Sequence, residues 1–127
     1  MIFGIGVDLV ETSRVEESLA KFGERFERRV FTEAEREYCR RMPAPAMHYA
    51  ARFAAKEAFL KALGTGTARG IAWPEAGIVN LPGGQPTLVI TGRAREIMEE
   101  KGVARAHVTL SHSRGHAVAV VVMETGG

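Results

Sequence analysis

Asp8, Glu57 and Lys61 are the residues of this 127-residue sequence whose types suggest joint chemistry. Asp8 interrupts Gly6-Val7-Asp8-Leu9-Val10, a run otherwise apolar or glycine. A carboxylate in such surroundings needs a cation, or backbone N–H groups at a strand end. On a strand, Asp8 and Val10 share one face and Glu11 points to the other, which makes Glu11 a poor second ligand. Glu57 and Lys61 stand one turn apart in Arg52-Phe53-Ala54-Ala55-Lys56-Glu57-Ala58-Phe59-Leu60-Lys61. That spacing alone describes a solvated Glu–Lys pair as well as an acid and a base beside a ligand. Two carboxylates from distant segments, completed by water and phosphate oxygens, are the right number for octahedral Mg²⁺. Cys39 is the only cysteine, which excludes an internal disulfide and a cysteine-based zinc site.

Two further groups bear on such a site. Ser111-His112-Ser113 ends a strand at a turn, where polar side chains can reach a ligand. Alternation puts His112 on the face of Val108 and Leu110, so a satisfied core histidine competes with that reading. The sequence argues against a Ser–His hydrolase, because neighbouring strand residues face opposite ways and no G-x-S-x-G elbow is present. His48, His107 and His116 read as surface or turn residues. Gly64-Thr65-Gly66-Thr67 is not a P-loop, and it lies at a helix carboxyl end, where the dipole repels anions. Phosphate contacts there must come from loop N–H groups and hydroxyls, which moves the weight to Arg52, Lys56 and Lys61.

The elements that must position these residues can be read from periodicity. Ile2 to Val10 reads as a buried strand. Ser13-Arg14-Val15-Glu16 is a capping box opening a helix with Val15, Leu19 and Phe22 inward, closed by Gly23. A helical turn or two follows around Arg25 to Arg29. Thr32-Glu33-Ala34-Glu35 is a second capping box, for a helix running to Pro43. The long helix extends from about Met47 to Leu63 and is stopped by Gly64. Its alanines 51, 54, 55, 58 and 62 form a small-residue side that lets another backbone come close. Gly77 to Leu81 and Pro86 to Thr91 form a hairpin, Gly92 to Lys101 a helix with Ala94, Ile97 and Met98 inward. His107 to Ser113 and His116 to Met123 form a closing hairpin around Arg114-Gly115. This order indicates an α+β fold, an antiparallel sheet with helices packed on one side in a single lobe.

Length fits one domain over residues 1–127 and not two, so a site needing two lobes would have to borrow another subunit. The longest apolar stretch is too short for a bilayer, so no membrane partner is expected. The amino terminus lacks a basic lead-in, and a reduced cytoplasmic setting follows from the lone cysteine. Net charge is only +2, but arginines gather between Arg14 and Arg41 among glutamates. A solvated helical surface is the first reading of that run and a docking face for an acidic protein the second. Nucleic acid is third, since aromatics are not interleaved.

Three blocks, in this order, resemble one family. They are Gly4-Ile5-Gly6-Val7-Asp8-Leu9-Val10-Glu11, Arg52-Phe53-Ala54-Ala55-Lys56-Glu57-Ala58 through Lys61 to Gly66, and Leu110-Ser111-His112-Ser113 with Ala117 and Ala119. Phe31-Thr32-Glu33, Tyr38-Cys39 and Gly84-Gln85-Pro86 fit the same pattern. The chain thus resembles, over essentially its whole length, the bacterial holo-acyl-carrier-protein synthases among the 4′-phosphopantetheinyl transferases. It has Val10 where larger two-lobed relatives carry a second acid, Gln85 for a frequent lysine and His116 for a frequent aromatic.

The resemblance implies that coenzyme A gives its phosphopantetheine to a serine of apo acyl carrier protein, releasing adenosine 3′,5′-bisphosphate, in support of fatty acid biosynthesis. It implies Asp8 and Glu57 as Mg²⁺ ligands and, with Lys61, as the catalytic set. Arg52, Lys56, His112, Ser111 and Ser113 would meet phosphates, and Gly64, Thr65 and Gly66 would line the nucleotide cleft. Gly84 and Pro86 would lie near the adenine from another subunit of a homotrimer. Arg14, Lys21, Arg25 and Arg28 would face the acidic carrier protein. The base that takes the serine proton stays open between Glu57, through water, and a water near Asp8. A basic docking module and a Mg²⁺-dependent nucleotide pyrophosphate hydrolase are the competing functions.

Overall fold

The computed structural model describes residues 1–66 and 69–126, so Thr67 of the glycine-threonine loop lies outside the described residues. In chain order the elements are β1 (Ile2–Glu11), α1 (Thr12–Phe22), α2 (Glu24–Val30), α3 (Glu33–Arg41) and α4 (Pro45–Leu63). A 3₁₀ turn at Trp73–Glu75 leads to β2 (Ala76–Asn80), β3 (Pro86–Ile90), α5 (Gly92–Glu100), β4 (Val103–His112) and β5 (His116–Thr125). The strands make a three-stranded antiparallel sheet in the order β1-β5-β4 and a separate β2-β3 ribbon. This is the α+β arrangement expected from the sequence, with α4 across one face of the larger sheet.

Helix α4 is central because it is apolar nearly all round. Tyr49, Ala50, Ala51, Ala54, Ala55, Ala58, Phe59, Leu60, Ala62 and Leu63 are all buried. The helix stops at Gly64, whose φ of 84° is the left-handed conformation that favours glycine. The backbone that comes close to its alanine side is β1. A Cβ added to Gly6 would overlap the Ala58 carbonyl oxygen and stand 2.7 Å from the Ala62 nitrogen, and one at Gly4 would strike the Ala62 carbonyl. Neither obstacle is a side chain that can swing away. Gly6→Ala is therefore expected to destabilise the fold by about 3 kcal/mol, at the upper end of overpacking costs. Gly83→Ala, where an added Cβ meets nothing within 4 Å, should stay within about 0.5 kcal/mol of the parent. Equal urea midpoints for the two variants would refute the close approach.

The structure corrects several expectations. β1 is buried on one face only: Ile5, Val7 and Leu9 are 60, 53 and 66% exposed, while Gly6, Asp8 and Val10 face α4. The Ser13 capping box does not form. α1 starts directly out of β1 at Thr12, whose N–H donates to the Gly115 carbonyl at 2.9 Å, so the end of the sheet sets the helix entry. Phe22 is half-exposed rather than inward. α4 begins two residues earlier than expected, at Pro45, and β4 four residues earlier, at Val103. The second capping box forms as expected, with the Thr32 hydroxyl accepting from the Glu35 N–H and Glu35 accepting from the Thr32 N–H. Among the described residues no helix is long and apolar enough to cross a membrane.

Candidate active site

Close packing of β1 on α4 decides what Asp8 touches. Lys61 does not pair with Glu57 along the helix surface. Its ammonium crosses to β1, 2.8 Å from Asp8 Oδ1 and 3.0 Å from the Val7 carbonyl. The other Asp8 oxygen, Oδ2, is buried without a hydrogen-bond partner. Glu57 stands beside the same carboxylate. Burial first, then the neighbouring Asp8 carboxylate, push the Glu57 carboxyl up to about 7, against opposing pulls from Lys61 and Arg14. Two close carboxyl groups, one with an orphaned oxygen, make an incomplete cation site. No cluster of three or more His, Cys, Asp or Glu exists among the described residues. The donor set therefore suits Mg²⁺, a hard cation that keeps water and substrate oxygens as its remaining ligands.

A second cluster gathers on another face of α4. Arg52 is five residues before Glu57 and so lies well around the helix from it. It is 3% exposed, its guanidinium carbon lies 4.1 Å above the Tyr38 ring, and one Nη donates to Asn80 Oδ1 at 3.4 Å. Its Nε has no partner, and no carboxylate among the described residues forms an ion pair with it. A buried guanidinium without a counter-charge is a standing demand for an anion. His112, exposed at the end of β4, stacks edge-on to His48 in the same cluster, with ring centroids 5.1 Å apart. Ser111 and Ser113 flank it at the exposed strand end.

The sheet register separates the two clusters. Asp8 pairs with Ala119 of β5, which pairs with Leu110 of β4; Val10, Ala117 and His112 form the next such row. Asp8 and His112 therefore point to the same side from opposite edges of the sheet, two strand spacings across and one row along, about 12 Å apart. Gly64, Thr65 and Gly66 follow the carboxyl end of α4, near neither Arg52 nor His112 in sequence. Gly84 lies in the β2-β3 turn, and Pro86, at the start of β3, borders a depression shared with Gln85 and with His107 and Thr109 of β4.

Lys56 is the clear correction to the expected phosphate contacts. It is fully buried and its ammonium is saturated, by Glu35 Oε1 at 2.8 Å and the carbonyls of Ala76 and Trp73 at 2.9 and 3.3 Å. An ammonium has three donors, so none is left for a ligand. Glu35, besides capping α3, accepts from the Ile78 N–H at 2.9 Å, so the pair pins the β2-β3 ribbon to α3 and α4.

Of the basic residues expected to meet a partner, Arg14 lines a cleft that reaches Glu57 through Val10, Phe26 and Phe53. This cleft continues into a groove of Phe22, Phe26, Phe53 and Trp73 flanked by Arg25 and Arg29. Lys21 lies over the Phe22 ring at 5.3 Å. Arg28 is placed elsewhere, 4.0 Å from Glu24 and among Glu33, Arg36 and Arg40. Arg29 is the groove residue that sequence reasoning missed. Residues 22, 25, 26 and 29 follow the i, i+3, i+4, i+7 stripe that would have revealed it, although Gly23 breaks the helix inside the stripe.

Comparison with known proteins gives the family. Residues 4–121 match the model of the 4′-phosphopantetheinyl transferase superfamily. Holo-[acyl-carrier-protein] synthase of Syntrophus aciditrophicus is 49% identical over 124 residues, 98% of this chain and 97% of that one. The crystal structure of holo-[acyl-carrier-protein] synthase from Neisseria meningitidis superposes with a TM-score of 0.89 at 36% identity, over 98% of this chain and all of that one. The synthase of Bacillus anthracis, solved in complex with CoA (3′,5′-ADP), gives 0.81 at 34% identity, over 99% of both chains. The chain belongs to the holo-acyl-carrier-protein synthases of the 4′-phosphopantetheinyl transferase superfamily.

Proposed function

We propose that this chain, acting as a single domain, transfers the 4′-phosphopantetheine of coenzyme A to a serine of an apo acyl carrier protein. Adenosine 3′,5′-bisphosphate leaves, and the holo carrier protein serves fatty acid biosynthesis. The observation that carries the reading is the buried, unpartnered Oδ2 of Asp8 beside Glu57 and Lys61. Phosphoryl transfer depends mainly on positioning and charge stabilisation. Asp8 and Glu57 would hold Mg²⁺, which supplies positive charge against the pyrophosphate. Lys61, anchored by Asp8 and the Val7 carbonyl, directs a fixed positive charge at the phosphoryl group in transfer. Arg52 and His112 supply the phosphate demand of the second cluster. Glu57, pushed up to about 7, matches the pH at which a base for the serine proton must work. Arg14, Arg25 and Arg29 flank an aromatic groove suited to an acidic, partly apolar helix of the carrier protein.

Because α4 packs over the sheet face between Asp8 and His112, a substrate touching both is best bridged by two subunits. The open face of the sheet, Ile5, Val7 and Leu9 beside Val118, Val120 and Val122, offers an apolar surface for the assembly. This supports a homotrimer with sites between subunits. Incubation with CoA, Mg²⁺ and apo carrier protein, followed by intact mass, tests the function. A phosphopantetheine mass gain abolished by a chelator supports the transferase. CoA cleavage without mass gain would make the chain a hydrolase, and neither product would leave a binding module.

The Glu57 carboxyl also sets a pH dependence. With its folded pKa raised, its contribution to stability is full below its unfolded value and is lost as pH rises through about 7. A cation needs the ionised form, so Mg²⁺ competes with that proton. Apparent Mg²⁺ affinity should climb up to about tenfold per pH unit below 7 and level off above it. Thermal melting with and without Mg²⁺ between pH 5.5 and 8.5 measures this, and a flat profile would remove Glu57 from the metal set.

A further inference from the structure

His112 ends β4 with its side chain exposed, and among the described residues no hydrogen bond holds its ring. What does hold it is His48, in the first turns of α4. The two rings meet at an interplanar angle of 67°, centroids 5.1 Å apart. His48 also meets Tyr38 of α3, centroids 5.8 Å apart at 74°, and the Arg52 guanidinium lies over the Tyr38 ring one turn of α4 beyond His48. Arg52, Tyr38, His48 and His112 thus form a ladder from the buried core of α4 to the exposed strand end. Its inner rung is fixed by burial and by Asn80, and its outer rung, His112, rests against His48.

We propose that His48 is a positioning residue whose ring sets the orientation of the His112 imidazole at the phosphate end of the coenzyme A site. The inference rests on the reading of His112 as a phosphate contact and goes beyond it, since His48 touches no substrate atom in that reading. The contact is well suited to the task. Edge-to-face rings restrict one another's tilt, and a ring held in advance loses less freedom when the anion arrives. The charges agree. Burial, then the neighbouring His112 and Arg52, hold His48 below the ordinary imidazole range, which favours the uncharged ring in this contact. Among the described residues the rings that meet His48 are those of Tyr38 and His112, and Arg52 is the charged group acting on it.

The test measures CoA dissociation constants, with melting temperatures alongside, for the full-length protein and its His48→Ala, His48→Phe, His112→Ala and double-alanine variants. Loss of the stacked ring should weaken CoA binding roughly threefold to tenfold in His48→Ala. His48→Phe keeps a ring in place and should restore the affinity. His112→Ala should weaken binding about tenfold or more, and adding His48→Ala to it should cost nothing further, because the residue to be positioned is gone. Parent-like affinity in His48→Ala, a lower melting temperature with unchanged affinity, an additive loss in the double variant, or no rescue by phenylalanine would each overturn the proposal. Parent-like affinity in His112→Ala would instead overturn the phosphate reading of His112, and the role of His48 with it.

Discussion

Lys56→Met is expected to destabilise the folded protein by about 3–5 kcal/mol, the cost of leaving a buried charge without its partner. The charge left behind is Glu35, fully buried, which would keep its bonds to the Thr32 and Ile78 N–H groups and lose its ion-pair partner. Methionine matches lysine in length, so little of the loss would come from a cavity. Burial lowers the Lys56 pKa and Glu35 opposes that shift, as expected for a cation kept inside by one counter-ion. Adding Glu35→Leu should recover only part of the loss. It removes the stranded charge, but it orphans two backbone N–H groups that Glu35 satisfied. Urea denaturation measures all three proteins. If Lys56 met a phosphate instead, Lys56→Met would keep its urea midpoint and lose CoA affinity, and that result would sink the structural assignment.

The Lys56 outcome also shows where sequence reading ends. Lys56 and Lys61 lie on the same alanine-rich helix, and helical spacing cannot say which lysine is inside. The partner that decides is Glu35, 21 positions earlier in the chain, and its capping box was legible while its second role as counter-ion was not. Local signals survived where they depended on neighbours: the Thr32 box, the Gly64 stop, the hairpin turns and the small-residue side of α4. They failed where a distant group competed. The Ser13 box has the right residues, but the Gly115 carbonyl captures the Thr12 N–H and starts α1 earlier. β1 looked buried because glycine and apolar residues fill most of both its faces, and the outward apolar face is left exposed among the described residues. His48 read as a surface residue because its ring partners come from α3 and β4. At the site, the sequence implied Asp8, Glu57 and Lys61 as one set. It could not indicate that Lys61 reaches Asp8, since that contact needs Gly4 and Gly6 to lie against Ala62 and Ala58.

The separation of the two clusters leads to the largest expected effect. Asp8→Asn should lower the transferase rate by about 10²–10³-fold, the usual loss on removing a preorganised electrostatic group. It weakens the cation site and frees Lys61 from its anchor. His112→Ala should cost about tenfold or more as a lost charge-assisted contact. In a chain whose site were complete, a mixture of the two variants would show only the average of two impaired enzymes. The structure sets Asp8 and His112 on opposite edges of one sheet, with β5 between them, so a substrate between subunits would take Asp8 from one chain and His112 from the next. Co-refolding equal amounts of the variants then builds some interfaces in which both contributed residues are intact. Random assortment makes these about one quarter of all sites in a cyclic assembly. Activity should therefore rise to about a quarter of the parent rate, well above either variant alone. The same variants mixed without unfolding, where subunits do not exchange, give the baseline. No gain after co-refolding, with both variants folded and assembled, would place the whole site within one chain.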